Sequence, residues 1–304
     1  MKTNLYIYCQ QNDLTAAQKK TLKSAFDQVE ILSKPDFELL YNDETPKVVA
    51  LDPDVVGWTF SNEIIDQIPN LRAICLETTG YEWVDCDYCR KKGIIVTNVP
   101  HYATNSVAEK CVMMALALAK KLPLFEREGK MNWNQEFIGE DMFNKPTDII
   151  GFGEIGHALA RKLDGIVGRK EICYYSRNKN DPDYHYLDFD KMLDNSEYLF
   201  ITISKNPESL ALFDDLSKLN PKTKVIIVAN GFEDVALRMA KMVEDGKLGG
   251  VAFESNDLDE QYDGNVFVTP PNAYYTKESL EKMFDIWVKT MLATIKTPIN
   301  VVND

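Results

Sequence analysis

Ile149-Ile150-Gly151-Phe152-Gly153-Glu154-Ile155-Gly156 leads from a short β-branched pair into a run, His157 to Leu163, with helical spacing. Glycines in a Gly-x-Gly-x-x-Gly pattern between a strand and a helix do separate work. The first permits a tight turn, the second lets backbone approach a pyrophosphate, and the third lets helix pack on strand. Amide groups at the helix start carry partial positive charge that suits phosphate. The pattern is short and glycine is common, so the flanking strand and helix carry the argument. The stretch predicts a Rossmann-type unit that holds a nicotinamide dinucleotide at Gly151, Gly153, Glu154, Ile155 and Gly156.

In such units an acidic residue about 20 positions further on reads the ribose of NAD. That spacing from Gly156 reaches Ser176, just after Ile172-Cys173-Tyr174-Tyr175, and the chain continues Arg177-Asn178-Lys179. Hydroxyl, guanidinium and amide donors replace the carboxylate, and a bidentate arginine suits a phosphate. Ser176, Arg177 and Asn178 therefore point to NADP, with NAD still possible. Solvated surface charge is the other reading of this tetrapeptide.

Outward from this turn, short apolar runs alternate with helical patterns. Leu5–Tyr8, Val48–Leu51, Ala73–Leu76 and Ile94–Thr97 read as one series of strands, with helices at Ala16–Phe26 and Asn62–Ile68. Ile149–Gly151, Ile172–Tyr175, Leu199–Ile203, Val225–Ala229, Gly250–Phe253 and Val266–Val268 read as a second series. Such alternation predicts two α/β units with parallel sheets. Between them, Ser106 and Glu109 read as a capping box opening a helix that runs to about Leu122. Every residue from Cys111 to Ala119 is apolar, which predicts a helix buried on all sides, between domains or subunits. Leu280, Met283, Phe284, Trp287 and Met291 form one stripe of a closing helix over Lys277–Ile295.

Composition narrows the function. The chain has 304 residues and a net charge of −13, from 47 acidic and 34 basic side chains. That balance argues against nucleic acid as the main partner and suits a soluble protein with a small-molecule substrate. No apolar run approaches the roughly 20 residues that cross a bilayer, so no membrane association is expected. The polar start contains no signal-peptide core. The six cysteines read as reduced thiols of a cytoplasmic protein. Cys86 and Cys89 have zinc-like spacing but lack a second pair, so no metal site is expected.

Several segments together resemble the D-isomer-specific 2-hydroxyacid dehydrogenases. They are Leu71-Arg72-Ala73-Ile74 with Thr79-Gly80-Tyr81 and Val84-Asp85, then Gly93-Ile94-Ile95-Val96-Thr97-Asn98-Val99-Pro100 with Val107-Ala108-Glu109. Asp245-Gly246-Lys247-Leu248 and Asn265-Val266-Phe267-Val268-Thr269-Pro270 extend the likeness, which covers about Val48 to Asp304. The resemblance implies an α/β fold: a Rossmann-type doubly wound parallel sheet (residues 99–270) inserted into a second, flavodoxin-like α/β domain (1–98 plus 271–304). It also implies an active site in the cleft, a substrate loop at Thr78, Thr79, Gly80 and Tyr81, and a homodimer formed on the apolar helix. Glu254 matches the residue near the nicotinamide amide, where the family usually has aspartate.

The chain departs from that pattern at the chemical centre. An arginine that pins the substrate carboxylate and carbonyl is replaced by Asn230. The histidine that donates a proton to the developing alkoxide is replaced by Pro271. The glutamate that orients this histidine is best matched by Asp259, or else by Asp257. Charge-assisted pairs are about twice as strong as neutral ones, and a positioned acid contributes about 10²–10⁴ in rate. Substitute proton donors are Tyr274, Tyr275 and His101, each of which also reads as cleft wall, packing or loop support. A tyrosine serves well only below its ordinary pKa of about 10.

Two readings of function stay open on this basis. One is an NAD(P)-dependent oxidoreductase that transfers hydride to or from a carbonyl-type substrate with non-standard residues. The other is a catalytically inactive NADP-binding regulatory or partner protein. A plain structural subunit is a third possibility, and it predicts no nucleotide affinity.

Overall fold

The computed structural model describes residues 3–303. They form two compact units, Met1–Tyr102 with Lys277–Asp304, and Ala103–Thr276. The second unit is thus inserted into the chain of the first.

The first unit is built on five parallel strands: β1 (Asn4–Tyr8), β2 (Gln28–Leu32), β3 (Lys47–Leu51), β4 (Leu71–Leu76) and β5 (Ile95–Thr97). Their order is β2-β1-β3-β4-β5, the flavodoxin-like winding expected from the sequence. β1 and β3 are buried along their whole length, so each reads as a continuous apolar run. β2 went unread because it lies at the sheet edge, half-buried, with Gln28 and Glu30 among its residues. The closing helix Lys277–Thr294 lays Met283, Trp287 and Met291 into the core formed by Leu5, Ile7 and Val48. Trp287 Nε1 donates to the Cys75 carbonyl at 2.9 Å, so its one polar atom is satisfied within an apolar contact.

The second unit carries seven parallel strands: β6 (Thr147–Ile150), β7 (Ile172–Tyr175), β8 (His185–Tyr186), β9 (Tyr198–Ile201), β10 (Lys224–Ile227), β11 (Gly250–Glu254) and β12 (Val266–Thr269). Their order is β12-β11-β10-β9-β6-β7-β8, a Rossmann-type doubly wound sheet. The winding reverses between β6 and β9, and ligands bind such sheets beyond the carboxyl ends of strands at that switch point. β8 escaped the sequence reading because two residues, one of them an exposed histidine, leave no periodicity.

The helix between the two strand series differs from expectation at both ends. It spans Thr104–Ala119, and Ser106 lies within it rather than capping it. The Ser106 hydroxyl donates to the Ala273 carbonyl, and Glu109 accepts from Asn105 and Lys162 at 2.9 and 3.1 Å. Lys121, at φ 59°, ends the helix before Leu122, where a new short helix, Leu122–Glu128, begins. Nor is the apolar run buried on all sides, because Met113 and Leu116 are 41% and 38% exposed. The six cysteines are free thiols, four of them buried. No helix among the described residues is long and apolar enough to cross a membrane.

At the carboxyl ends of β1, β3 and β4 the first unit gathers acids. Glu77 is buried, and desolvation, then the neighbouring Asp52 carboxyl, push its pKa up to about 9. Burial likewise raises Asp52 and Asp13. A Glu77 carboxyl that keeps its proton in the folded protein can donate to the Asp52 carboxylate. A folded pKa above the unfolded one means that this stability is complete at acid pH and is lost as pH climbs toward 9. Thermal melts between pH 5 and pH 9 should show wild-type stability falling, with the fall clearly shallower for Glu77→Gln. Identical slopes would place the proton elsewhere.

Candidate functional site

The glycine-rich turn begins where β6 ends. Gly151 has φ +95°, and a Cβ there would lie 2.5 Å from the Ile203 amide nitrogen. A Cβ on Gly156 would lie 2.4 Å from the Gly151 carbonyl oxygen. Both positions are closed by the protein's own backbone. Gly153 is different: nothing lies within 4 Å of where its Cβ would be. The first and third glycines thus serve the turn and the helix packing, and the second leaves an open face for a phosphate. Gly153 also caps the helix Glu154–Leu163 without a side-chain cap hydrogen bond, and the first turn of a helix presents backbone N–H groups and partial positive charge that suit phosphate. The residues present therefore fit a dinucleotide diphosphate.

Side chains brace the turn from the β7 side. Phe152 stacks on Tyr174, with ring centres 4.3 Å apart. The His157 ring nitrogens lie 2.8 Å from the Gly153 carbonyl and 2.8 Å from the Asp181 carboxylate. Partial burial pushes the Asp181 carboxyl up, but the amides of Asp183 and Tyr184 and the His157 ring together hold it below its ordinary value. Sequence reasoning missed Asp181, because it lies in a polar loop beyond the expected ribose position. Ser176 is half-buried at the end of β7, whereas Arg177 and Asn178 are exposed. Asn178 accepts from the Asn180 amide at 3.2 Å.

A second group of residues surrounds a cavity of about 430 Å³, counting its open mouth, at the ends of β10 and β11. Asn230, Glu254, Ser255, Asn256 and Pro271 are among its walls. Glu254 is fixed there by the turn that follows β12. Its Oε1 accepts from the amides of Asn272 and Ala273 at 3.0 and 2.9 Å. Lys110, from the long apolar helix, places its ammonium 4.0 Å from the same oxygen and 2.6 Å from Asn272 Oδ1. Burial raises the Glu254 pKa, while the Ala273 and Asn272 amides and Lys110 oppose that rise. Sequence reading found Glu254 but not Lys110, whose helix position announced only core.

The other sequence-predicted residues are not drawn into this cavity. Asp257 and Asp259 stand in an exposed loop where the Asp259 amide donates to Asp257 Oδ1 at 3.1 Å, and neither lines the cavity. Tyr274 and Tyr275 follow the Pro271 turn, edge to face at 6.0 Å, and both are exposed. In the first unit, the Thr79 hydroxyl donates to the Val99 carbonyl at 2.8 Å and the Thr78 hydroxyl to the Gly80 carbonyl at 2.6 Å. Those hydroxyls are committed within the chain, and Tyr81 remains exposed beside them. His101 has φ 60°, and its carbonyl accepts from Lys282 at 2.6 Å.

Residues 12–303 match the model of the D-isomer specific 2-hydroxyacid dehydrogenase catalytic domain. A glyoxylate reductase of Thermococcus litoralis is 27% identical over 284 residues, covering 86% of this chain and 84% of the relative. Among solved structures, a D-lactate dehydrogenase from Aquifex aeolicus complexed with NAD and lactic acid superposes with a TM-score of 0.78 at 23% identity, over 99% of each chain. An acyclic imino acid reductase in complex with NADPH and D-Arg superposes with a TM-score of 0.77 at 20% identity, over 99% of this chain and 100% of that one. These two structural likenesses speak for the fold. With its family model matched across nearly the whole chain, the protein belongs to the D-isomer specific 2-hydroxyacid dehydrogenases, oxidoreductases that work with a nicotinamide dinucleotide.

Proposed function

We propose that this protein is an NADP-preferring reductase that delivers hydride to a carboxylate-bearing C=O or C=N compound, using residues other than the family's usual set. The observation that carries this reading is the glycine turn, closed by backbone at Gly151 and Gly156 and open at Gly153. Bound nicotinamide supplies the hydride, so the chain itself has only to place the acceptor and manage charge and protons. Glu254, pinned by two amides, is the acceptor for the nicotinamide amide, and Lys110 offsets its charge. No feature of the site favours an inactive binder.

Proton supply separates the two acceptor classes. A carbonyl leaves an alkoxide that must receive a proton, and Pro271 has none to give. A protonated imine brings its proton on nitrogen, so hydride addition alone leaves a neutral amine. The glyoxylate reductase relative and the imino acid reductase neighbour represent these two chemistries, and Pro271 favours the second. Following nicotinamide absorbance should reveal at least 10-fold faster NADPH oxidation with a 2-oxoacid plus a primary amine than with the oxoacid alone. Equal rates would reject the imine preference, and no oxidation with either would reject reduction.

The 2′-phosphate preference rests on Arg177, exposed beside Ser176 and Asn178, while the nearest loop carboxylate, Asp181, is engaged by His157. A charge-assisted contact contributes about 1.5–3 kcal/mol, or roughly 10- to 100-fold in affinity. Calorimetry should therefore find NADPH bound more weakly by that factor in Arg177→Asp, with NADH little changed. Unaltered NADPH affinity would remove the arginine from the site.

The second unit also exposes apolar side chains where the expected dimer would form. Met113 and Leu116 on the helix are joined by Met131, Trp133, Ile138 and Phe143 from the following segment, with Trp133 85% exposed. Exposed apolar patches of this kind mark contact surfaces, and a second copy of this chain is the proposed occupant. Trp133→Glu combined with Met113→Glu should convert a dimer to a monomer in sedimentation equilibrium. A dimer that persists would exclude this face.

A further inference from the structure

We infer that Lys205 supplies the positive charge that holds the substrate's anionic group, at the site where Asn230 offers only a neutral amide. This rests on the reductase reading above. The lysine lies in the segment Thr202-Ile203-Ser204-Lys205, which leaves the end of β9. That segment sits between the glycine turn and the cavity: the Thr202 hydroxyl donates to the Gly151 carbonyl at 2.7 Å, and Ile203 backbone closes over Gly151. From there the Lys205 side chain crosses to the end of β10 and lies against Gly231, the neighbour of Asn230. A Cβ on Gly231 would come 2.2 Å from Lys205 Cδ and 3.0 Å from its Nζ. The missing side chain at 231 is what makes room for the lysine.

The root of the side chain is held firmly. Asn206 and Ser209 form a reciprocal capping box, with the Asn206 amide donating to Ser209 Oγ at 2.8 Å and the Ser209 amide to Asn206 Oδ1 at 2.9 Å. The Ser209 hydroxyl also lies 2.8 Å from the Ser204 carbonyl, so backbone on both sides of Lys205 is fixed. Its ammonium has no ion pair or hydrogen bond among the described residues. Glu233, two residues beyond Gly231, accepts from the Gly231 amide at 3.2 Å. Lys110, the cation beside Glu254, is already bonded to Asn272. A 2-hydroxyacid or its oxo or imino counterpart always carries a carboxylate, and a carboxylate leaving water needs a cation. Lys205 is the ammonium placed to meet it.

The test separates carboxylate binding from dinucleotide binding. Wild type, Lys205→Met, Lys205→Arg and Gly231→Ala are first titrated with NADPH and NADH. Each dinucleotide-saturated protein is then titrated with oxamate, an anionic mimic of a 2-oxoacid that cannot be reduced. Lys205→Met should bind oxamate roughly 10- to 100-fold more weakly than wild type, with dinucleotide affinity changed less than about 2-fold. Lys205→Arg should retain oxamate binding, and Gly231→Ala, which displaces the lysine, should copy the loss. Unchanged oxamate affinity in Lys205→Met would overturn the inference. So would a parallel fall in dinucleotide affinity, which would assign the ammonium to phosphate, or a saturated wild type that binds no oxamate. Failure of wild type to bind either dinucleotide would instead sink the reductase reading, and is seen in the first titration.

Discussion

The approach of two backbones, Gly151 against Ile203, sets the geometry on which the second unit's site depends. β6 and β9 are central, fully buried strands, and the winding of the sheet reverses between them. Their carboxyl ends come so close that no side chain fits at Gly151. That contact turns the chain sharply into the next helix, which starts without a side-chain cap, and the segment after β9 runs on toward the end of β10. The open face at Gly153 and the approach to the cavity at the ends of β10 and β11 both follow from one strand pairing, and a side chain at position 151 would disturb both.

Much of this architecture was legible in the sequence because buried parallel strands are continuous apolar runs. Leu5–Tyr8, Val48–Leu51 and the second series through Val266 stood out for that reason. What escaped were pieces whose order comes from tertiary contact. β2 and β8 are edge strands with polar residues, and pairing rather than pattern makes them strands. Ser106 and Glu109 had the spacing of a capping box, yet each found a better partner elsewhere in the unit, Ala273 for one and Lys162 for the other. Local motifs lose when a distant acceptor is available to the same side chain.

The candidate site was legible in a similar, partial way. The three glycines and Glu254 carry their meaning in position along a strand, and position is visible in one dimension. Lys110, Asp181 and Lys205 make their contacts across loops and helices, so their spacing in sequence carries no signal. Asp257 and Asp259 show the converse: a plausible match along the chain that the fold leaves in an exposed loop. Asn230 and Pro271 were informative by what they lack. Together these residues mark a family member with the glycine turn in place and with Asn230 and Pro271 where the family resemblance implies a cation and an acid.

The turn that carries Pro271 has a further consequence. Its next two amides hold Glu254, and its Ala273 carbonyl receives the Ser106 hydroxyl. Proline restricts the backbone at the head of that turn. Restoring histidine at 271 would bring back an acid while relaxing the scaffold that orients Glu254, so the gain and the damage would arrive in the same substitution. Position 271 therefore serves the backbone that holds Glu254 as well as the chemistry of its own side chain.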